Sequence, residues 1–354
     1  MVAKKTQGED GMKNQWCDIP EGTPVLVTGA SGFTGSVLTR KLIEAGLHVS
    51  AVARASSNLD ALKDLDIKWF RGDVFDETVM QAALAGQQYV FHVAAAFREA
   101  KGGRQDYWNV HVRSTQIIAN AVVKNPDFKR YVHISTFGVH GHVEEPPGSE
   151  LSPYAPGDDY QCTKLEAEEW LRAFAEGHPE LDYTIIRPAA IYGPGDRRLL
   201  KLFKMAVRPV FPLLGKGKCM YHLVHVDDLT NCFLLAATKP KARGEAIICG
   251  GDESIPVADI ARIVATHFGV KTRIIRLPIG PFFLLADVCE WICKPLGIEP
   301  PIYRRRVAFY SKDRDFDVSK MHRILGYRPL HSNEQGIVET ADWYVKQGWM
   351  TGVA

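Results

Sequence analysis

The chain has 354 residues, 46% of them hydrophobic and 24% charged, with a net charge of +2. That profile excludes a disordered or fibrous chain, and the near-neutral balance excludes the basic surplus of a nucleic-acid binder. Seven cysteines (Cys17, Cys162, Cys219, Cys232, Cys249, Cys289, Cys293) form no CxxC pair and are odd in number, which argues against a disulfide framework and for reduced thiols in a cytoplasmic setting.

In chain order, residues 1–22 are polar and lack the apolar core of a signal peptide, so they are expected to be a disordered tail. Pro24–Thr28 reads as a strand, followed by a glycine-rich turn and an apolar helix that Gly46 ends. Further strands are expected at His48–Ala53, Ile67–Phe70, Tyr89–Val93, Arg130–Ser135 and Tyr183–Arg187, with helices at about Thr78–Leu84 and Val110–Val123. Such alternation implies right-handed βαβ units and a doubly wound parallel sheet. After Pro188 the chain is richer in Pro and Gly, with helices expected at Asp227–Thr238, Val257–Phe268 and Pro281–Lys294 and a strand at Ala246–Cys249. The division expected is a dinucleotide-binding domain over 23–188 and a smaller substrate-binding lobe over 189–354, with segments of the lobe returning to the main sheet. Residues 281–298 are the most apolar stretch, but Asp287, Glu290 and Lys294 interrupt it along one helical stripe. This is an amphipathic helix, read as a core or lid element in preference to a membrane-surface contact.

The segment Thr28-Gly29-Ala30-Ser31-Gly32-Phe33-Thr34-Gly35 spaces its glycines three apart between a strand and a helix. Glycine allows the tight turn and close approach of backbone to a pyrophosphate, and the helix start offers N–H groups to it. Arg54, followed by Ser56 and Ser57, stands at the end of the second strand, where NAD sites usually place an acid. An arginine there suits the 2′-phosphate of NADP, so NADP is expected over NAD.

Tyr160-Gln161-Cys162-Thr163-Lys164 puts Tyr and Lys four apart on one helix face. A neighbouring ammonium favours the phenolate, so Tyr160 suits proton transfer to or from an alcohol or ketone oxygen, and Lys164 can also hold the nicotinamide ribose. Ser135-Thr136 ends a strand at the carboxyl edge of the sheet, where a hydroxyl can bond a substrate oxygen. His140-Gly141-His142 lacks companion ligands at matching spacing, and no metal site is expected.

With these residues in view, the chain resembles an extended short-chain dehydrogenase/reductase of the NAD-dependent epimerase/dehydratase superfamily. Thr28–Gly35 matches its TGxxGxxG motif and Tyr160–Lys164 its YxxxK motif. The resemblance runs in order through most of the chain. It implies a Rossmann-type fold, with Asp73 and Val74 at the adenine and His92-Val93-Ala94-Ala95 passing beneath the cofactor. Asn109 would support the site, and Thr136 would take the catalytic hydroxyl position with Ser135 before it. Arg187-Pro188 and His225-Val226-Asp227-Asp228 match the later motifs. Cofactor contacts implied are Gly29, Ser31, Gly32, Phe33, Gly35, Arg54, Asp73, Val74, Ala94, Ala95, Lys164, Arg187 and Pro188.

Two departures bear on the substrate. Nucleotide-sugar enzymes usually carry Arg-Asp shortly before the second of those later motifs, where this chain has Met220-Tyr221-His222-Leu223. Dehydratases carry Asp-Glu after the catalytic Thr, where Phe137-Gly138 stand here. Phe211, Leu213, Leu214, Phe282, Phe283, Leu284 and Trp291 suit an apolar pocket, and the tail Arg314–Lys320 with Leu325–Pro329 resembles the 3β-hydroxysteroid dehydrogenase-like branch. The activity implied is hydride transfer between NADP(H) and a secondary alcohol or ketone of a hydrophobic, sterol-like or β-keto lipid substrate. A nucleotide-sugar epimerase that retains NAD, and a non-catalytic NADP-binding regulator, are the alternatives. The resemblance also implies a homodimer.

Overall fold

The structure is a computed structural model that describes residues 15–96, 103–215, 217, 219–293, 295, 300–302, 304, 307 and 313–351. The strands among them are β1 (Pro24–Thr28), β2 (His48–Ala53), β3 (Lys68–Arg71), β4 (Tyr89–His92), β5 (Arg130–Ile134), β6 (Tyr183–Pro188), β7 (Ala190–Tyr192), β8 (Val210–Leu214), β9 (Met220–His225), β10 (Ala246–Cys249), β11 (Ser254–Pro256) and β12 (Arg273–Leu277). The helices are α1 (Phe33–Glu44), α2 (Glu77–Leu84), α3 (Arg104–Trp108), α4 (Ser114–Val122), α5 (Asp159–Glu176), α6 (Leu200–Ala206), α7 (Val226–Thr238), α8 (Val257–His267), α9 (Gly280–Cys293), α10 (Ser319–Leu325) and α11 (Asn333–Lys346).

Seven strands make one sheet of order β10-β6-β5-β4-β1-β2-β3. Its ladders are parallel: Val25 faces both Val49 and Tyr89, and Tyr131 and Ser135 donate in step to Asp182 and Ile186. Strands of a parallel sheet are covered on both faces, which explains why β1, β5 and β6 are almost continuous buried runs. The chain moves outward from β1 to β3, then returns to the other side of β1 at β4. The order therefore reverses between β1 and β4, and in sheets of this kind ligands bind beyond the carboxyl ends of the strands at such a reversal.

The chain divides into two compact units. The first comprises 1–134, 167–185 and 230–245. Arg130 ties it internally, pairing with Asp182 and donating to Thr184 Oγ1 at 3.1 Å and the Ala236 carbonyl at 2.7 Å. Residues 15–22 depart from the expected tail. Ile19 is buried and Gly22 N donates to Gly46 O at 2.8 Å, because one apolar side chain and one backbone bond anchor the segment to the loop after α1. The helix expected at Val110–Val123 starts earlier, at Arg104, and passes through a π-helical turn at Asn109–Arg113.

The second unit comprises 135–166, 186–229 and 246–354. It holds the small sheets β11-β9-β7 and β12-β8. Its core gathers Phe203, Phe211, Leu213, Leu223, Val264 and Tyr344. Phe211 and Leu213 alternate on β8 into this core, while Leu284 and Trp291 are exposed. The residues expected to line one apolar pocket are thus divided between core and surface, since period-two alternation on a strand and a helical stripe face different surroundings.

Candidate active site

Gly29 and Gly35 build the turn after β1. Gly29 has φ of +75°, and a Cβ there would lie 2.7 Å from Ala94 N, so only glycine lets β1 run on past the end of β4. A Cβ on Gly35 would lie 2.0 Å from the Gly29 carbonyl, so this glycine seats α1 against the turn. Gly32 is the exposed N-cap of α1, with no side-chain cap and no acid in the first turn. The positive end of the helix is left for an external anion. Ser31 and Phe33 flank it, half-buried. This cradle fits a dinucleotide pyrophosphate.

Below the turn runs a buried chain of hydrogen bonds that sequence reasoning missed. Ala94 N donates to Thr28 Oγ1 (3.3 Å), and Thr28 Oγ1 meets His92 Nδ1 (2.7 Å). His92 Nε2 meets Ser114 Oγ (2.8 Å), and Ser114 Oγ donates to Val110 O (2.5 Å). Each hydroxyl has one hydrogen, so the order settles the tautomer: Thr28 donates to Nδ1, and Nε2–H donates to Ser114. The chain locks the ends of β1 and β4 and fastens them to α4. A buried histidine three residues before Ala95 was the available signal. Asn109 opens the π-helical turn and accepts from Gln105 Nε2 at 3.0 Å. Such turns often mark functional positions in helices.

At the end of β2, Arg54 is exposed. Ala53 pairs with Arg71 across β2 and β3, and Arg71 Nη1 lies 3.4 Å from the Arg54 carbonyl. A second guanidinium therefore stands beside Arg54, visible only once the strands are paired. Asp73 and Val74 follow β3, half-buried, and Ala95 is exposed after β4.

The hydroxyl pair and the Tyr–Lys pair belong to the second unit. Ser135 is buried and its Oγ makes no hydrogen bond among the described residues. Thr136 caps the short helical turn at Phe137–His140, its Oγ1 accepting from Gly138 N at 3.1 Å. With that lone pair occupied, the Thr136 hydrogen remains to donate. A Cβ on Gly138 would lie 3.2 Å from Thr136 Oγ1 and 3.0 Å from Gln161 Nε2, so the missing side chain brings Thr136 against the first turn of α5. Asp158 accepts from Gln161 N, and Gln161 accepts from Gly157 N. These bonds start α5 at the residue that puts Tyr160 in its first turn. Lys164 lies one turn on and is 1% exposed, while Tyr160 is half-buried.

Arg187, expected at the cofactor, is fully buried and bonded elsewhere. Nη1 donates to His140 Nε2 at 2.9 Å and Nη2 to Tyr154 OH at 2.7 Å, with the guanidinium over the Tyr154 ring. His140 must then carry its proton on Nδ1, which donates to Ser152 O at 2.9 Å. The planar fork thus holds the 140–154 loop, and Pro188 ends β6, buried beside it. His142 takes no part in this arrangement. His222, where nucleotide-sugar enzymes carry Arg-Asp, is buried: Nε2 donates to Gly251 O (2.7 Å) and Nδ1 accepts from Phe316 N (3.2 Å).

His225, Asp227 and His331 bring potential ligand atoms within 4.8 Å of one another. The two imidazoles stack at 3.9 Å, so their in-plane lone pairs do not converge, and His331 Nδ1 is committed to Asp228 at 2.9 Å. Asp228 also accepts from Tyr327 OH (2.5 Å) and Leu330 N (2.8 Å), fastening the α10–α11 connection to α7. Burial pushes its pKa up, but His331 and Tyr327 outweigh that and hold it below the ordinary value. Donating to Asp228 raises that of His331.

Residues 25–250 match the model of the NAD dependent epimerase/dehydratase family. The chain belongs to that family, an NAD(P)-dependent enzyme class of dehydrogenases, reductases, epimerases and dehydratases. It is 36% identical over 338 residues to sterol demethylase protein B of Methylococcus capsulatus, covering 91% of this chain and 98% of that protein. It is 30% identical over 348 residues to the 3 beta-hydroxysteroid dehydrogenase/Delta 5-->4-isomerase of Mycobacterium tuberculosis, covering 91% and 90%. Among solved structures, gox2253 superposes with a TM-score of 0.76 at 26% identity, covering 93% of this chain and 100% of that one.

Proposed function

We propose that the protein moves a hydride between NADP(H) and a secondary alcohol or ketone of a hydrophobic, sterol-like or β-keto lipid substrate. The observation that carries this reading is Tyr160 and a buried Lys164 on one face of α5, in the same unit as the Ser135 and Thr136 hydroxyls.

Gly29, Gly32 and Gly35 would hold the pyrophosphate, and Lys164 the nicotinamide ribose. The nicotinamide supplies or accepts the hydride when bound. Tyr160 gives its phenolic proton to the carbonyl oxygen in reduction and takes it back in oxidation. The Lys164 ammonium would favour the phenolate form of Tyr160. Ser135 and Thr136 donate to the same oxygen and steady its developing charge. Arg187 acts through His140 and Tyr154 as a positioning residue. Asn109, at the π-helical turn, would support the site as the family resemblance implies.

NADP is favoured by Arg54 and Arg71, two cations where an NAD site places an acid. A hydrophobic substrate is favoured by the names of the relatives and by His222, whose ring nitrogens are spent on backbone where nucleotide-sugar enzymes present a cation.

The test is Tyr160→Phe, assayed against a panel of sterol and β-keto substrates and nucleotide sugars. Turnover of the hydrophobic panel falls about 10²- to 10⁴-fold, with NADPH affinity kept. Surviving activity overturns the catalytic assignment, and turnover of nucleotide sugars alone overturns the substrate class. In fluorescence titrations, Arg54→Glu weakens NADPH and spares NADH. A wild type that binds NADH more tightly overturns the cofactor reading.

A further inference from the structure

Helix α9 exposes a stripe of large apolar side chains. Leu284, Val288, Trp291 and Ile292 follow an i, i+4, i+7, i+8 pattern, and with Leu285 beside them they line one arc of the helix. Leu284 is 68% exposed and Trp291 78%. Ala286, on the opposite side, is fully buried. The helix rests on its small residue and turns its large apolar ones to solvent, the reverse of an ordinary surface helix.

Charge in this part of the sequence favours an anionic partner. The two acids of α9 are both taken up by Arg304: its Nη1 pairs with Asp287 at 2.5 Å and its backbone N donates to Glu290 at 2.7 Å. The guanidinium also lies over the Phe283 ring, 5.1 Å from its centre. The sequence that follows, from Lys294 to Arg314, carries six basic residues (Lys294, Arg304, Arg305, Arg306, Lys312, Arg314) against Glu299 and Asp313. An apolar face whose Asp287 is paired with Arg304, followed in the sequence by a net basic stretch, is the composition of a helix that lies in a lipid headgroup layer. A tryptophan near one end suits the boundary between headgroups and acyl chains. The helix has 14 residues, about 21 Å, and no helix among the described residues is long and apolar enough to cross a membrane. A second copy of the chain is a poorer occupant, because it would bring two basic segments together, whereas an anionic bilayer complements them.

We propose that α9 is an interfacial helix that seats the protein on the surface of an anionic bilayer. The proposal rests on exposure and charge alone and stands apart from the substrate reading.

The test is co-sedimentation with phosphatidylcholine vesicles, with and without phosphatidylserine. The comparison is with the double variant Leu284→Glu, Trp291→Glu. Both positions are exposed, so thermal unfolding of the variant matches wild type. Wild type is expected to partition onto the phosphatidylserine vesicles, with weaker binding in high salt, and the variant to lose about tenfold or more of that partitioning. Loss of binding in the variant with unchanged activity on a water-soluble ketone separates this proposal from the catalytic one. Wild type that stays in the supernatant with both vesicles overturns it. So does a variant that binds as well as wild type, or a dimer in solution that the double variant dissolves without any vesicle binding.

Discussion

Ser135 and Thr136 are neighbours with the same functional group, yet the fold holds their hydroxyls differently. Thr136 Oγ1 caps Gly138 N, while Ser135 Oγ is buried with no hydrogen bond among the described residues. Ser135→Ala therefore removes no hydrogen bond from the protein, and thermal unfolding should show stability within about 0.5 kcal/mol of wild type or slightly higher. If the hydroxyl serves the substrate oxygen, kcat/KM falls about tenfold or more in the same variant, a split between stability and rate that steady-state kinetics reads directly. Thr136→Val should lose both, with about 1 kcal/mol of stability gone through the cap. Thr136→Ser restores the cap and most of the rate.

The turn between β1 and α1 works as an element. Its two closest approaches, Gly29 to Ala94 and Gly35 to the Gly29 carbonyl, are packing constraints on backbone against backbone, which cannot be relieved by rotating a side chain. Gly35→Ala is expected to displace the turn, costing about 1–3 kcal/mol and abolishing binding of the reduced nicotinamide cofactor in a fluorescence titration. The hydrogen-bond chain beneath it supports the same element. Thr28→Val leaves His92 Nδ1 and Ala94 N without their partner, at a cost of about 1–3 kcal/mol in denaturant unfolding. Arg54 also belongs at this scale, since Arg71 reaches it only through the pairing of β2 with β3.

At the scale of the molecule, each compact unit is assembled from three separated stretches of chain, so long-range ties decide its stability. Asp228 with His331 is one such tie, with Asp227, His225 and Glu339 around it. The folded pKa of His331 is raised above 6.5, so its contribution is fully present below that value and is lost as pH rises through the folded pKa. Asp228 is depressed, so its contribution is present above the ordinary carboxylate value and is lost only as pH falls through its lowered folded pKa. The unfolding temperature is thus expected to fall from mildly acid to mildly alkaline pH, and His331→Gln should flatten that slope. An equal slope in the variant would assign the pH dependence elsewhere. Asp228→Asn is expected to cost about 3 kcal/mol at neutral pH, because it leaves His331 and two backbone donors facing a weaker acceptor.

The sequence by itself determined the parallel α/β sheet, since period-two and helical apolar patterns are local and both faces of such strands must be apolar. The first six strands follow from it, shifted at most by a residue or so at their ends. It also pointed to the glycine turn and to Tyr160 with Lys164, because each lies within a few residues where spacing alone sets geometry. Tertiary structure decided the rest. The buried chain from Thr28 through His92 to Ser114 joins positions far apart in sequence, and only the sheet brings them together. It bonded Arg187 to His140 and Tyr154, partners that the motif does not show. It also divided the apolar residues of the second unit between the core and the exposed face of α9. A side chain's chemistry is written locally, but its partner, and hence whether it is buried, bonded or left facing outward, depends on which distant strand or helix the fold lays against it.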